Sequence, residues 1–293
     1  MQHTRKSILV FLKPPTTPLP GTVLAAALIC LCLSLGGCGA EQPDDGNSGA
    51  VELVVGSLPP SERDITDPES WQAQGLKAHY VTDSDTRLLV LELDPTRFDP
   101  ALVAAPGTGI AAIDALRTHD FTVVIGSGFV SELNSLAPVG LLQVDGQTLN
   151  PVQGYGYTRI LGINDGGLGV VHRNDYQRSL FHSALQAGPG IVEKAQLDIS
   201  EKDLQRPKYF RSFVGLCEER WLVGVSLAPT HLRTLGQALL AYGESRNWQC
   251  EDVVNLAGDR QAVLMLSTSN SDLLYHGDPN TYKVSLMGFR RTR

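Results

Sequence analysis

The sequence lacks most of the signatures by which catalytic and membrane proteins are recognised. After residue 37 no apolar run approaches the ~20 residues that a membrane-spanning helix needs, which excludes a helical membrane protein for the body of the chain. There is no HExxH, no GxSxG, no Walker loop and no histidine cluster at metal spacing. Zinc proteases, α/β-hydrolases and nucleotide-phosphate loops lose their support accordingly, and neither a metal nor a cofactor is expected. Positive charge is scarce too. Against 31 Asp and Glu stand 24 Lys and Arg, a formal charge of −7 over 293 residues. Nucleic-acid affinity depends on neutralising phosphates, so no nucleic-acid partner is expected.

What is present starts at the N-terminus. A basic lead with Arg5, Lys6 and Lys13 precedes the apolar run from Val23 to Leu35, the layout of a secretory signal. The run closes on Leu35-Gly36-Gly37-Cys38, which resembles the bacterial lipoprotein box. That resemblance implies removal of residues 1–37, lipid on Cys38, and a chain anchored in a membrane of the cell envelope. Gly39 stands where an aspartate would retain the protein at the inner membrane, so the resemblance implies the outer membrane, facing the periplasm. Residues 38–50 are mostly polar and read as a flexible tether, and 51–293 as one domain.

With Cys30 and Cys32 in the signal and Cys38 lipidated, Cys217 and Cys250 are the two thiols left in an oxidising compartment. Neither has a CxxC partner or a closely spaced histidine. A disulfide between them is the simplest expectation.

Hydrophobic patterning predicts an α+β domain, mostly antiparallel sheet with a few helices packed on it. Strands are expected at Val51–Val55, Arg87–Leu93, Ala101–Ala105 and Phe121–Ile125. A helix is expected between Gly109 and His119 behind Thr108 as cap. Hairpins are expected around Asp145-Gly146, around Asn164–Gly167 and around Glu218–Arg220. Thr230 is expected to cap a longer helix whose Leu232, Leu235, Leu239 and Tyr242 line one face as far as Arg246. Further strands are expected at Asp252–Leu256, Gln261–Leu266 and Tyr282–Met287.

A series of spaced segments resembles the phosphodiester glycosidase family. Val123–Phe129, with Gly126-Ser127-Gly128, stands where the family has an apolar strand followed by Asn-Gly-Gly-Phe. Pro138-Val139-Gly140 and the Asp145-Gly146 hairpin follow, then Gln186–Val192 with Gly188-Pro189. Arg211-Ser212-Phe213-Val214-Gly215 is similar to the family's Arg-Thr/Ser-x-x-Gly strand, and Val253–Asp259 stands where the family has Asn-Leu-Asp-Gly-Gly. The match runs in the family's order from about Ala101 to Leu266. Two positions depart from it: Gly126 replaces an asparagine, and Ala257 replaces the aspartate of the Asp-Gly-Gly turn. Alanine neither transfers a proton nor stabilises charge at an anomeric carbon.

The resemblance implies a glycosidase-type hydrolase acting on sugar phosphodiesters of envelope glycans. Arg211 is the candidate phosphate ligand, with a structural ion pair to Asp252 or Glu193 as its alternative. Asp259, two residues beyond Ala257, is the candidate carboxylate. Gly126, Ser127, Gly128, Gly188, Pro189, Asn255 and Gly258 are the candidate substrate-binding positions. Gly126-Ser127-Gly128 reads as a tight turn rather than a nucleophile elbow, and Asn255 either holds a sugar hydroxyl or satisfies a turn. His172, His182 and Asp145 fall on no recognised motif, and Tyr155, Tyr157, Trp221 and Trp248 serve either sugar stacking or packing. The alternative function is an inactive module of the same fold that binds a glycan or a protein.

Overall fold

The structure is a computed structural model describing residues 75–83, 85–131, 135–154, 156–267 and 273–292. The signal expected at 1–37, Cys38, the tether expected at 38–50, the strand expected at Val51–Val55, and Tyr155 lie outside the described residues.

Every strand pairing among the described residues is antiparallel, in three larger sheets and two short ribbons. The seven-stranded sheet runs from edge to edge as Leu76–Asp83, Thr86–Leu93, Arg220–Ser226, Arg211–Cys217, Cys250–Gly258, Gly190–Glu193 and Gln196–Leu197. A five-stranded sheet contains Leu142–Val144, Gln147–Asn150, Arg159–Asn164, Gly167–His172 and Ser183–Ala187. The other five-stranded sheet contains Phe98–Ala104, Val123–Ser127, Leu264–Ser267, Leu273–His276 and Ser285–Arg291.

One core joins all three sheets. Leu89, Leu91 and Val223 from the large sheet meet Leu161 and Leu185 from the second and Ile125, Met287 and Phe289 from the third. The large sheet is buried on both faces, which accounts for the near-continuous apolar run Leu88–Leu91. Leu89 and Leu91 point into this core, and Leu88 and Val90 point the other way, toward a helix. Leu76–Asp83 is an edge of the same sheet.

The two α-helices are α1 (Ala112–Thr118) and α2 (Leu232–Ser245). On α2, Leu232, Leu235, Leu239 and Tyr242 are buried against Val90, Ile191 and Phe213, as their spacing predicts. Burying each such side chain contributes roughly 1.5–3 kcal/mol. The expected caps differ. Thr230 bonds Thr86 Oγ1 at 3.1 Å, and His231 occupies the capping position without a side-chain bond. Asp203, from the preceding loop, supplies the missing acceptor: its Oδ2 receives the Arg233 backbone N–H at 2.9 Å. α1 begins later than expected because Ile110-Ala111 pairs as a short strand with Tyr282-Lys283, leaving Thr108 outside the helix.

The hairpin at Asp145-Gly146 has both residues at positive φ, 47° and 78°, as a two-residue turn demands. Cys217 and Cys250 face one another across the large sheet and form the disulfide. Trp221 packs on Phe289 and Trp248 on Tyr242, so both indoles serve the interior.

Candidate functional site

At one end of the large sheet the strands Arg211–Cys217 and Cys250–Gly258 open onto a cavity of about 420 Å³, within the usual range for ligand sites. Its wall includes Phe129, Tyr157, Gly188, Pro189, Tyr209, Arg211, Asn255, Gly258 and Asp259, together with Asp203, Arg206 and Gln261. Residues brought from five separated segments thus face one space.

Arg211 starts its strand, with its backbone N–H donating to Ser226 Oγ at 2.9 Å. Its guanidinium lies over the Tyr209 ring, 4.9 Å from the centroid. Tyr209 is fixed in turn by a pair of backbone hydrogen bonds with Thr230. Among the described residues Arg211 forms no ion pair, and its buried Nε has no acceptor. The pairing with Asp252 or Glu193 is therefore corrected: Arg159 takes Glu193 at 3.1 Å and Asp198 at 2.6 Å, and Asp252 lies in the field of that same guanidinium. Burial lowers the Arg211 pKa from its ordinary value, while the Asp203 and Asp259 carboxylates act in the opposite direction.

Asp259 opens a 3-10 turn, Asp259–Gln261, with φ at 48°. Burial raises its carboxyl above the ordinary carboxylate value, against the lowering effects of Arg211 and of a hydrogen bond from the Phe210 backbone. Its own N–H donates to the Phe210 carbonyl at 3.0 Å, in register with the Arg211–Gly258 pairing. The turn is braced from behind. Lys283 Nζ donates to the Arg260 carbonyl, and the Val284 N–H donates to Gln261 Oε1 at 3.4 Å.

Asn255, 1% exposed, is held by three bonds: its Nδ2 donates to the Gly188 carbonyl at 3.2 Å, Gly188 N–H donates to its carbonyl at 2.8 Å, and its N–H donates to the Pro189 carbonyl at 3.3 Å. Gly188 sits at a φ of 125°, which a side chain rarely tolerates. Tyr157 stacks on Phe129 with ring centroids 4.2 Å apart, and burial raises the Tyr157 phenol pKa. The pair forms an aromatic wall of the cavity.

Of the sequence-derived candidates, Arg211, Asp259, Gly188, Pro189, Asn255 and Gly258 line this one cavity. Gly126, Ser127 and Gly128 do not. They lie behind the turn that carries Asp259: Ser212 Oγ donates to the Gly126 carbonyl at 2.8 Å, and a Cβ on Gly126 would meet the Gln261 carbonyl oxygen at 1.9 Å. Ser127 is fully buried beside Ser285 Oγ at 3.2 Å, a packing position. Ala257 is also fully buried, opposite Ser212 in the ladder and outside the cavity wall. His172, whose Nδ1 accepts the Asn174 N–H, and His182 beside Ser183 lie away from the cavity, as does Asp145 at its hairpin tip. Tyr209, Asp203, Arg206 and Gln261 were not legible as site residues. The local signal is the stretch Arg206-Pro207-Lys208-Tyr209-Phe210-Arg211, which sets three cations and two aromatics within six residues.

No protein-family description matches this sequence, and no curated protein matches it. Solved structures do share its fold. The catalytic domain of zebrafish N-acetylglucosamine-1-phosphodiester α-N-acetylglucosaminidase, auto-inhibited by its pro-peptide, superposes with a TM-score of 0.54 at 13% identity, over 74% of this chain and 82% of that one. A hypothetical protein from Synechocystis gives a TM-score of 0.52 at 13% identity, over 80% of this chain and 64% of that one. The chain has a phosphodiester glycosidase-like fold.

Proposed function

We propose that the cavity binds a sugar phosphodiester and hydrolyses its glycosidic bond, on a protein lipid-anchored at Cys38 in the bacterial envelope. The observation that carries this reading is Arg211, a half-buried guanidinium with no ion pair among the described residues, in the wall of a cavity that also holds Asp259. A planar guanidinium matches the two non-bridging oxygens of a phosphodiester and takes up the charge that grows on the departing phosphate.

With the leaving group so stabilised, the remaining chemical need is a base for water. Ionised Asp259 fills that role: it takes a proton from water as the water oxygen attacks the anomeric carbon and the carbon–oxygen bond to phosphate breaks. Its raised pKa makes it a stronger base than an ordinary carboxylate. Asp203 is excluded from the role because its carboxylate caps α2. Tyr157 and Phe129 supply an apolar face for the sugar ring or its aglycone.

A second reading, a module that holds the same ligand without turnover, is supported by Ala257 where the resembled family has its aspartate. The envelope placement is supported by Leu35-Gly36-Gly37-Cys38. Release of free glucose from glucose 1-(phenyl phosphate) by the purified protein tests the hydrolytic reading. Tight binding of that compound without glucose release moves the assignment to the binding module.

A further inference from the structure

Tyr157 brings to the cavity a hydroxyl that the protein itself does not use. Among the described residues the phenol makes no hydrogen bond, and its oxygen keeps accessible surface. The rest of the residue is tied down. Its ring stacks on Phe129 with 4.2 Å between centroids and 21° between planes. Its backbone carbonyl accepts hydrogen bonds from Gln186 Nε2 at 2.7 Å and from Arg173 Nη1 at 3.4 Å.

Gln186 is 1% exposed, and both ends of its amide are engaged. Its Nε2 also donates to the Gln153 carbonyl at 2.9 Å, and its Oε1 accepts the Gln153 and Leu141 N–H groups at 2.9 and 3.0 Å. A buried amide satisfied in this way fixes the backbone around it. A phenol held at its ring and at its main chain, with its hydroxyl idle, is preorganised for a partner from outside the chain.

The same region sets Tyr157 beside Arg211. A Cβ on Gly188 would lie 3.1 Å from the Thr158 nitrogen, so the backbone just after Tyr157 runs against the Gly188 turn. That turn is bonded to Asn255, on the strand adjacent to the one that starts at Arg211. Burial raises the phenol pKa and the nearby Arg211 charge opposes it, so the two groups lie within electrostatic reach and the hydroxyl keeps its proton near neutral pH.

We infer that Tyr157 is a second phosphate ligand, whose hydroxyl donates a hydrogen bond to a non-bridging oxygen of the phosphodiester that Arg211 holds. The inference rests on the reading of the cavity as a sugar-phosphodiester site and adds a neutral donor to its charged one. A hydroxyl bonded to an anion gains strength as charge grows on the departing phosphate, so this donor acts in turnover as well as in binding.

The test is calorimetric binding of glucose 1-(phenyl phosphate) to the wild-type protein and to Tyr157→Phe, which keeps the ring on Phe129 and removes only the hydroxyl. The variant is expected to bind about tenfold more weakly, with an unchanged thermal unfolding midpoint. The 2-, 3-, 4- and 6-deoxy analogues are expected to show the same loss, because all of them carry the phosphate. Equal affinity of the two proteins for the parent compound overturns the inference and leaves the phosphodiester reading standing. So does a loss that disappears with one deoxy analogue, which assigns the hydroxyl to the sugar, or a loss accompanied by a lowered unfolding midpoint, which assigns it to packing. Failure of the wild-type protein to bind the parent compound overturns both the inference and the reading beneath it.

Discussion

Asp259 and Arg211 reach one cavity because the strands that carry them are stitched together at their ends, with the Asp259 N–H on the Phe210 carbonyl at 3.0 Å and Gly258 opposite Arg211. A Cβ on Gly258 would lie 3.4 Å from Arg211 Nη1, in ordinary contact with the guanidinium. Replacing Arg211 removes the cavity's principal anion ligand. Arg211→Ala is expected to weaken binding of glucose 1-(phenyl phosphate) by at least about tenfold, since charge-assisted bonds contribute about 1.5–3 kcal/mol. Arg211→Lys is expected to recover part of that loss, because an ammonium supplies the charge without the paired donors. Titration calorimetry on the three proteins checks both.

The raised carboxyl pKa of Asp259 gives the rate a pH signature. If the ionised form is the base, kcat/KM rises with pH through the Asp259 pKa, and the midpoint lies above the ordinary aspartate value of 3.8. The same shift acts on stability in the opposite direction. Between 3.8 and the raised value the folded chain holds more protons than the unfolded one, so Asp259 takes stability away as pH rises through that window. Asp259→Asn is expected to remove the acidic limb from the rate profile and to flatten this part of the stability profile, read by pH-rate measurement and thermal unfolding.

Lys283 is expected to dominate a different range. It is fully buried, its pKa is lowered from 10.5 to about 8 by burial, and its Nζ donates to the Arg260 carbonyl behind the Asp259 turn. Between about 8 and 10.5 the unfolded chain binds the proton that the folded chain has released, so stability rises with pH there. The shift corresponds to about 3 kcal/mol. Lys283→Met is expected to abolish the rise, measured as unfolding midpoints between pH 8 and 9.5, below the range where tyrosines titrate.

Gly126 departs from the pattern of the resembled family where its strand touches the turn that carries Asp259. The Cβ of any residue at 126 would meet the Gln261 carbonyl oxygen at 1.9 Å, so the family's asparagine has no room beside this turn. Gly126→Ala is expected to displace Asp259–Gln261, lowering stability by about 1–3 kcal/mol and lowering activity with it. Ala257 has no exposed surface, and Ala257→Asp places a carboxylate in that interior position. It is expected to lower the unfolding midpoint and to leave turnover no higher than in the parent protein.

Much of this was legible in the sequence because it rests on local pattern. The 3- and 4-residue spacing of Leu232, Leu235, Leu239 and Tyr242 gave α2, and Asp145-Gly146 gave its hairpin. Arg211, Asn255 and Asp259 stood in segments whose order resembled a family, and the fold now described is consistent with that order. The caps were missed because Asp203 reaches α2 from a separate loop, which spacing does not reveal. Tyr209 and Arg206 were missed for a related reason. They join the cavity only because the loop before Arg211 folds back against Thr230. The motif points Gly126 to Gly128 at a ligand, whereas Gly126 serves close approach to the turn behind the cavity and Ser127 and Gly128 pack against Ser285.

The decisive measurement is glucose release from glucose 1-(phenyl phosphate) by the wild-type protein, Asp259→Asn and Arg211→Ala, assayed side by side near neutral pH. Turnover by the wild type, reduced about a hundredfold or more in each variant, is the expected result. Equal turnover in all three proteins contradicts the assignment of these two side chains to one hydrolytic site.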